Sequence, residues 1–327
     1  MNPTYPICFC VLASHTHLRP TSFSHHPSSS GKKELMSGDH VLTRGQGEAT
    51  YLARVHAHPR DVRVVFDEGP HTYTVDGKLV GVSVTGLLAS VENDHFDAEA
   101  VARKLAATPS AKYNAGRDLE TGLWLPMTAE AILAQWDTAR DLGTDLHGRL
   151  ERHLNKLPVT FASPDATNAK EFAQATRWLA TCGMEPFRTE WVIFDEDCDV
   201  AGSVDFVGAY PDGTLGIVDW KRCIHGGRGF AAHFHGTTLK PPLEHLQDCK
   251  LSHWLAQVNV YRVILERKYG ATVRSMQMVV LQADQEEAAV YTHPRDDRVA
   301  RLLDDRASLV QQALAPPPPP PPHPVVS

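Results

Sequence analysis

Residues 202–221 read GSVDFVGAYPDGTLGIVDWK. Two apolar runs rich in β-branched residues flank Pro-Asp-Gly at 211–213, and this combination predicts a β-hairpin. The proline presets φ at the turn, and the glycine accepts the positive φ that a tight turn requires. A three-residue loop at 211–213 places Tyr210 opposite Thr214, which fixes the register of both strands.

Two carboxylates fall on one face of this hairpin. Counting outward from the turn pairs Asp205 with Asp219, with their Cβ atoms roughly 4.5–5.5 Å apart. Lys221 joins that face, whereas Trp220 points to the other. Because opposed carboxylates repel unless a positive group lies between them, we expect Asp205 and Asp219 to bind a divalent cation such as Mg²⁺. The alternative is a solvent-facing strand with an ordinary Asp–Lys ion pair.

The segments GSVDFV and GIVDWK resemble the Asp…(Asp/Glu)-x-Lys core of the PD-(D/E)XK nuclease superfamily, particularly its RecB-like branch. Asp219 stands where many members have Glu, a variation that the superfamily name includes. The resemblance implies an α/β fold with a restriction-endonuclease-like core, in which a central mixed sheet of four or five strands is flanked by helices. It also implies catalytic roles for Asp205, Asp219 and Lys221, Mg²⁺ or Mn²⁺ as cofactor, and the backbone carbonyl of Trp220 as a further ligand.

An upstream helix carries a candidate metal-binding histidine. Apolar residues at three- and four-residue steps predict this helix over 128–155. Residues 143–147 read GTDLH and resemble the family's G-x-x-x-H segment, in which the histidine, here His147, is a metal ligand. Gly143 and Gly148 are expected to let another backbone approach closely. Imidazole beside carboxylates favours Mn²⁺ relative to an all-oxygen site, although a lone helical histidine is otherwise an ordinary surface residue.

A further acidic residue precedes the hairpin. A strand is predicted over 188–194, and Glu190 on it looks like the acidic residue that many RecB-like nucleases place there. Glu190 faces Asp205 if the turn at 195–199 has a four-residue loop, but not if the loop has three residues. We therefore include Glu190 among the candidate catalytic residues, as a contact of the metal or of water.

The downstream chain carries candidate nucleic-acid contacts. A long helix is predicted over 243–269, with Gln257 and Tyr261 on one face. This Q-x-x-x-Y, about forty residues after D-x-K, resembles the family's final motif, whose side chains approach the active site and the nucleic-acid backbone. The basic, glycine-rich run 222–229 is either a DNA-contacting loop, in which Arg222 binds the nucleic acid, or an ordinary surface insertion.

An N-terminal hairpin also has counterparts in this superfamily. Residues 71–85 read HTYTVDGKLVGVSVT, in which Asp76-Gly77 predicts a two-residue hairpin turn. The segment resembles the N-terminal hairpin of phage exonucleases and of exonucleases that maintain the mitochondrial genome. Its plainer interpretation is a hairpin that leads into a core helix.

Composition limits the partners and the compartment. The 327 residues carry a net charge of -7, so a nucleic acid would need a local basic channel. Six cysteines include no C-x-x-C pair, which indicates a reducing compartment without a disulfide framework. Some RecB-like nucleases hold an iron–sulfur cluster through three clustered downstream cysteines, and this chain lacks that cluster, so no iron–sulfur cofactor is expected.

Three regions are expected along the chain. Residues 1–60 are predicted to be disordered, as an organellar transit peptide, an untargeted tail or a segment before initiation at Met36. Residues 61–315 form the nuclease domain, and 316–327 a proline-rich tail that either binds a proline-recognition domain or has no partner. No stretch reaches the roughly 18 apolar residues of a membrane helix. The compartment stays open between mitochondrion or another organelle, nucleus and cytoplasm.

Together these patterns predict a metal-dependent deoxyribonuclease. The resemblance of the 71–85 segment favours an exonuclease on single-stranded DNA or DNA ends, in DNA repair, recombination or genome maintenance. Two alternatives stay open: a structure-selective endonuclease on the same core, and a nucleic-acid-binding module without catalysis.

Overall fold

A computed structural model of the chain describes residues 50–93, 97–110, 112–223 and 236–315. Residues 1–49 of the N-terminal segment, the part of the basic loop after residue 223 and the proline-rich tail lie outside these ranges. In chain order, the elements are α1 (Tyr51–Val55), a 3-10 turn (Asp61–Arg63), β1 (Val64–Asp67), β2 (Thr72–Val75), β3 (Lys78–Leu79), β4 (Val82–Ser83), α2 (Val84–Ala89), α3 (Ala98–Ala106), α4 (Ala129–Leu154), α5 (Ala169–Thr181), β5 (Glu185–Asp195), β6 (Val200–Ala209), β7 (Leu215–Cys223), α6 (Lys250–Lys268), β8 (Val273–Gln282), β9 (Ala289–Thr292) and α7 (Val299–Leu314).

The fold is α/β, with a central mixed sheet flanked by helices. Within the described residues the sheet has six strands. Five follow the order β4-β6-β7-β8-β9, and β5 pairs with β6 along the edge opposite to the one that β4 and β7 share. The β4–β6 and β7–β8 pairs are parallel, whereas the β5–β6, β6–β7 and β8–β9 pairs are antiparallel. Four or five strands were predicted; the two-residue β4 and the mostly exposed β9 carry too little apolar signal to be found from the sequence.

The hairpin register agrees with the prediction. Phe206 pairs with Val218 and Gly208 with Gly216, and the Tyr210 amide donates to the Thr214 carbonyl at 2.8 Å. The second predicted turn is also present, because Asp76 and Gly77 both have positive φ, at 49° and 78°. Two positive φ values in succession match the turn that joins twisted strands in a two-residue hairpin.

Helices cover both faces of the sheet. Helices α4 and α5 pack on one face, through a buried apolar cluster that includes Leu146, Leu150, Leu154, Ala175, Phe206, Val218, Trp220, Val279 and Leu281. Helices α2, α6 and α7 pack on the other face, through a larger cluster that includes Val84, Leu87, Val204, Ile217, Val258, Tyr261, Leu265 and Leu303. These two apolar layers hold the hairpin between them.

The predicted start of helix α6 was wrong. The helix begins at Lys250, seven residues after the predicted start at 243. The preceding segment folds back instead, since the Leu239 amide donates to the Leu246 carbonyl at 2.9 Å. Leu243 is fully buried within this turn, and its spacing from Leu246 imitates one helical step.

Helical structure is already present before the predicted domain boundary at 61. Helix α1 covers residues 51–55, and its Leu52 is buried in the cluster beneath α4. The Leu52 amide donates to Asn155 Oδ1 at 2.9 Å, which ties this helix to the end of α4. Among the helices in the described ranges, none is both long and apolar enough to cross a membrane.

The predicted reason for two helical glycines was also wrong. A Cβ at Gly143 or Gly148 would meet no described atom within 4 Å, so neither glycine is needed for close approach of another chain segment. Gly202 is different, because a Cβ there would lie 2.9 Å from Tyr261 Cε1 and 3.0 Å from Val84 Cγ2. The absence of a side chain at Gly202 therefore lets α2 and α6 pack against β6.

We expect Gly202→Ala to lower the free energy of unfolding by about 1–3 kcal/mol, because the methyl group overpacks the contact with Tyr261. Gly143→Ala is the matched control. It should raise stability by roughly 0.5–1 kcal/mol, since alanine costs less backbone entropy in a helix. Urea unfolding of both variants measures this difference, and equal effects at the two positions would contradict it.

Candidate active site

The site lies where the central sheet divides. The β6–β7 ladder ends at Phe206 and Val218, and β4 pairs with the start of the same edge of β6, at Val200 and Ala201. We call residues 202–205, which lie between these two pairings, the fork. Past the end of the ladder, the Trp220 amide donates to Asp205 Oδ2 at 2.9 Å. The carboxylate of Asp205 thus accepts a hydrogen bond that a strand carbonyl would otherwise receive.

Three ligand-bearing side chains meet at the fork. His147 Nδ1 lies 3.5 Å from Glu190 Oε1 and 3.8 Å from Asp205 Oδ2. The ligand atoms of these three residues all lie within 4.8 Å of one another. One imidazole nitrogen and two carboxylate oxygens form a donor set that suits Mg²⁺ or Mn²⁺, with the nitrogen favouring Mn²⁺.

The backbone of Trp220 orients His147. His147 Nε2 lies 3.1 Å from the Trp220 carbonyl oxygen, which can only accept a hydrogen bond, so Nε2 carries the proton. The Nδ1 atom is then the nitrogen that faces Glu190 and Asp205. Hydrogen bonding to one ring nitrogen fixes the tautomer and the ring plane of a metal-ligating histidine. The Trp220 carbonyl, predicted from resemblance to be a ligand itself, is here the partner of His147.

Glu190 faces Asp205 because the turn between β5 and β6 has four residues. Asp195 pairs with Val200, and this register continues to the pairs on either side of Glu190. The four-residue alternative of the sequence prediction is the one observed. Ser203 Oγ donates to Glu190 Oε2 at 3.1 Å, which fixes the carboxylate.

The backbone of Glu190 is strained. Its φ is +46°, in the left-handed region that L residues other than glycine, asparagine and aspartate rarely adopt, and it occurs within a strand. Such a conformation costs about 1–2 kcal/mol. Backbone outliers of this kind cluster at functional sites, where the surrounding structure maintains them.

Asp219 takes a different position from the predicted one. Asp219 was predicted to be a ligand together with Asp205 and His147, but in the described residues Glu190 completes the cluster instead. Asp219 Oδ2 lies 2.7 Å from Lys221 Nζ, in an ion pair that is not aligned as a hydrogen bond. Both side chains are largely buried, at 6% and 13% exposure. The β6–β7 ladder ends at the Phe206–Val218 pair, so Asp205 and Asp219 are not paired across it.

The alternation of side chains beyond the ladder agrees with the prediction. Lys221 Nζ lies 5.5 Å from the ring centroid of Trp254, on the α6 side of the sheet. Trp220 packs on the opposite side, with its ring centroid 5.4 Å from that of Trp178 in α5. The Asp219–Lys221 pair and the indole of Trp220 therefore occupy different faces.

Burial and charge shift the pKa values of two members of the cluster. Burial alone would lower the pKa of His147, but the carboxylates of Asp205 and Glu190 raise it to about 9. Burial, together with the charges of Asp219 and Glu190, raises the pKa of Asp205 to about 7, against the opposing effect of His147. In the metal-free protein, protons thus supply the positive charge that the clustered carboxylates require.

The candidate nucleic-acid contacts differ in accessibility. Gln257 Nε2 donates to Tyr261 Oη at 3.1 Å, so the two residues form a pair on α6. Tyr261 is only 5% exposed, and Gln257 is half-buried. The guanidinium of Arg222 instead contacts Glu171 and Asn168, and the structure gives no support to its predicted contact with nucleic acid.

No family model matches the chain, and no curated protein matches it. Among solved structures, the chain is similar to a “Putative exonuclease” from Eubacterium rectale, at 12% identity over 68% of each chain and with a TM-score of 0.29. It is also similar to SSO0001, at 14% identity over 42% of this chain and with a TM-score of 0.24. The chain spans 56% of the length of SSO0001. Likenesses this distant assign no function to this chain.

The strain at Glu190 predicts that a glycine variant is more stable than an alanine variant, the reverse of the usual order in a strand. Glu190→Gly and Glu190→Ala both remove the carboxylate, but only glycine relieves the positive φ. The glycine variant should therefore unfold with a free energy about 1 kcal/mol higher than the alanine variant. Chemical denaturation of the metal-free proteins measures this order. At an ordinary strand position the alanine variant is the more stable of the two. If Glu190→Ala is also more stable than Glu190→Gly, the backbone of Glu190 is not strained.

The raised pKa values predict proton release on cation binding. A cation requires a neutral His147, whose pKa of about 9 leaves it protonated at pH 7. The logarithm of the Mn²⁺ association constant should rise by about one per pH unit between pH 7 and 9 and level off above pH 9. Below pH 7 the slope should steepen, because Asp205 is also protonated there.

Calorimetry in two buffers of different ionisation enthalpy counts the released protons. His147→Asn is the control, since it keeps a hydrogen-bonding side chain but removes the titrating imidazole. A binding constant independent of pH in the wild-type protein would contradict cation binding by these residues.

Proposed function

We propose that the protein is a metal-dependent deoxyribonuclease. The observation that carries this proposal is the cluster of His147, Glu190 and Asp205, with the Asp219–Lys221 ion pair beside it on the same hairpin. A structural ion pair alone would not need three further ligand-type groups next to it, two of which, His147 and Asp205, have raised pKa values. Hard-cation ligands beside a buried ammonium are the groups that hydrolysis of a phosphodiester requires.

His147, Glu190 and Asp205 are the residues that would hold the cation. When bound, Mg²⁺ or Mn²⁺ supplies Lewis-acid charge to a phosphate oxygen and favours ionisation of an attacking water. The chain's own residues do the rest of the positioning. Trp220 holds Asp205 through its amide and His147 through its carbonyl, so both ligands are oriented in advance.

Lys221 is proposed as the second positive group of the site. Its Nζ atom lies 2.7 Å from Asp219 Oδ2, and its charge acts on both His147 and Asp205, so it lies beside the cluster. From this position it orients the attacking water or offsets negative charge that develops on the phosphate. Asp219 acts through Lys221 in this proposal, whereas the sequence prediction assigned it directly to the metal.

The substrate is proposed to be single-stranded DNA or a DNA end. The support is the resemblance of the 71–85 segment to exonuclease hairpins, together with Gln257 on α6, which is half-buried and available to contact a strand. A structure-selective endonuclease is the main alternative. It cuts covalently closed circular DNA, whereas an exonuclease requires an end.

Removal of Lys221 should abolish cleavage while leaving cation binding. We expect Lys221→Met to slow metal-dependent degradation of end-labelled linear DNA by at least about 100-fold, as for removal of one preorganised charge in other active sites. Asp219→Asn should slow it by a similar factor, because Lys221 loses the carboxylate of Asp219. Degradation should require Mg²⁺ or Mn²⁺ and stop in EDTA, and closed circular DNA should stay intact.

Lys170→Met is the matched control, since it removes a lysine that is half exposed and pairs with Asp165 on the surface. It should cleave at the wild-type rate. Cleavage of closed circles would favour the endonuclease. If the wild-type protein binds DNA and Mn²⁺ but cuts neither linear nor circular substrate, the nuclease proposal is wrong and a binding module is the better description.

A further inference from the structure

Arg222 lies next to Lys221 but on the other face of the sheet. Its Nη2 atom contacts Glu171 Oε1 at 2.9 Å, and its Nε donates to Asn168 Oδ1 at 2.6 Å. The side chains of Arg222 and Glu171 are 11% and 2% exposed, so this ion pair is buried. A buried pair carries a desolvation cost that a surface pair does not, and it is often less favourable than apolar packing. We therefore ask what the Arg222–Glu171 ion pair does beside the candidate site.

Asn168 extends the contact to helix α4. It occupies the N-cap position of α5, yet its side chain does not cap that helix. Instead, its Nδ2 donates to the Leu142 carbonyl at 2.9 Å and to Asp145 Oδ2 at 2.7 Å. A capping side chain stabilises a helix by about 1 kcal/mol, which α5 forgoes here. Asn168 is 1% exposed and has a φ of +66°.

These polar contacts reach the residues on both sides of His147, the candidate metal ligand. Asp145 Oδ2 also accepts from Arg149 Nε at 2.8 Å, and these two residues flank His147 in the sequence. A continuous set of polar contacts thus runs from Arg222 on β7, through Asn168, to the turn of α4 that carries His147. We call Arg222, Glu171, Asn168 and Asp145 the tether.

Directional contacts set the position of α4 along the sheet more narrowly than apolar packing alone. Leu146 and Leu150 bury the helix, but hydrophobic contact is non-directional and tolerates small shifts. A metal site requires its ligands within about 0.5 Å of the productive geometry. His147 comes from α4, whereas Glu190 and Asp205 come from the sheet.

We propose that Arg222 is a positioning residue for the metal site: through the tether it fixes α4, and with it His147, against the strand that carries Asp219 and Lys221. This inference rests on the proposed metal site. It replaces the earlier expectation that Arg222 contacts nucleic acid. Arg222 touches neither the cation nor the substrate in this role, and it acts only through His147.

A double-mutant cycle tests that dependence. The Mn²⁺ affinity of the full chain is measured by calorimetry for wild type, Arg222→Lys, His147→Ala and the double variant. Lysine keeps the charge but cannot contact Glu171 and Asn168 together through a planar fork. We expect Arg222→Lys to weaken Mn²⁺ binding about 10-fold when His147 is present, the lower end of the range for outer-shell partners. In the His147→Ala background the same change should have an effect of less than about twofold.

Two further variants guard against a general loss of structure. Asn168→Asp keeps the acceptor for Arg222 but places a like charge against Asp145, so it should also weaken Mn²⁺ binding in a His147-dependent way. Arg177→Lys is the control, because Arg177 is half exposed and pairs with Glu287 on the surface. It should leave the Mn²⁺ affinity unchanged.

Several results would overturn the proposal. One is an equal loss of Mn²⁺ affinity from Arg222→Lys with and without His147, and another is no loss. A third concerns DNA binding by Arg222→Met. If the slope of the logarithm of the binding constant against the logarithm of salt concentration falls by about one, Arg222 contacts a phosphate. Wild-type protein that binds no Mn²⁺ would overturn both this inference and the proposed function, whereas Mn²⁺ binding without cleavage would overturn the proposed function alone.

Discussion

The backbone of one residue, Trp220, holds two of the three candidate ligands through its amide and its carbonyl group. The amide of Trp220 donates to Asp205 Oδ2 at 2.9 Å, and its carbonyl oxygen lies 3.1 Å from His147 Nε2. Trp220 itself is only 2% exposed, and its indole packs between the sheet and α5. Because a buried tryptophan cannot move without opening a cavity, the apolar core beneath α4 and α5 fixes the backbone atoms that orient the site. The separation of β6 from β7 makes both backbone groups of Trp220 available for this purpose.

The cluster of charged side chains around Trp220 also has unfavourable interactions. Three carboxylates, those of Glu190, Asp205 and Asp219, lie near two basic groups, His147 and Lys221. Burial, together with the charges of the other two carboxylates, raises the pKa of Asp205 to about 7. The backbone of Glu190 adds strain through its positive φ. A divalent cation at the cluster would relieve the repulsion between carboxylates without changing the fold. A raised carboxylate pKa and backbone strain are both typical of functional sites.

Local chemistry made part of this site predictable. The turn at 211–213 sets the hairpin register, and the four-residue loop before β6 brings Glu190 opposite Asp205. The hairpin register was predicted from its turn, whereas the facing of Glu190 and Asp205 was left open between a three-residue and a four-residue loop, because the sequence does not set the length of that turn. Three features depend on tertiary structure and were not found. Asp219 pairs with Lys221 because the sheet divides, and Arg222 has partners about fifty residues earlier in the chain. The start of α6 was misplaced because apolar residues in a turn imitate a helical period.

The most direct test of the central claim is the position of a bound cation. Anomalous scattering from crystals grown with Mn²⁺ should show a peak within about 2–2.5 Å of His147 Nδ1 and of one carboxylate oxygen each from Glu190 and Asp205. Lys221 should stay paired with Asp219 beside it. A peak elsewhere, or none at this cluster at millimolar Mn²⁺ and neutral or higher pH, would contradict the assignment of these residues as a metal site and remove the main support for a metal-dependent nuclease.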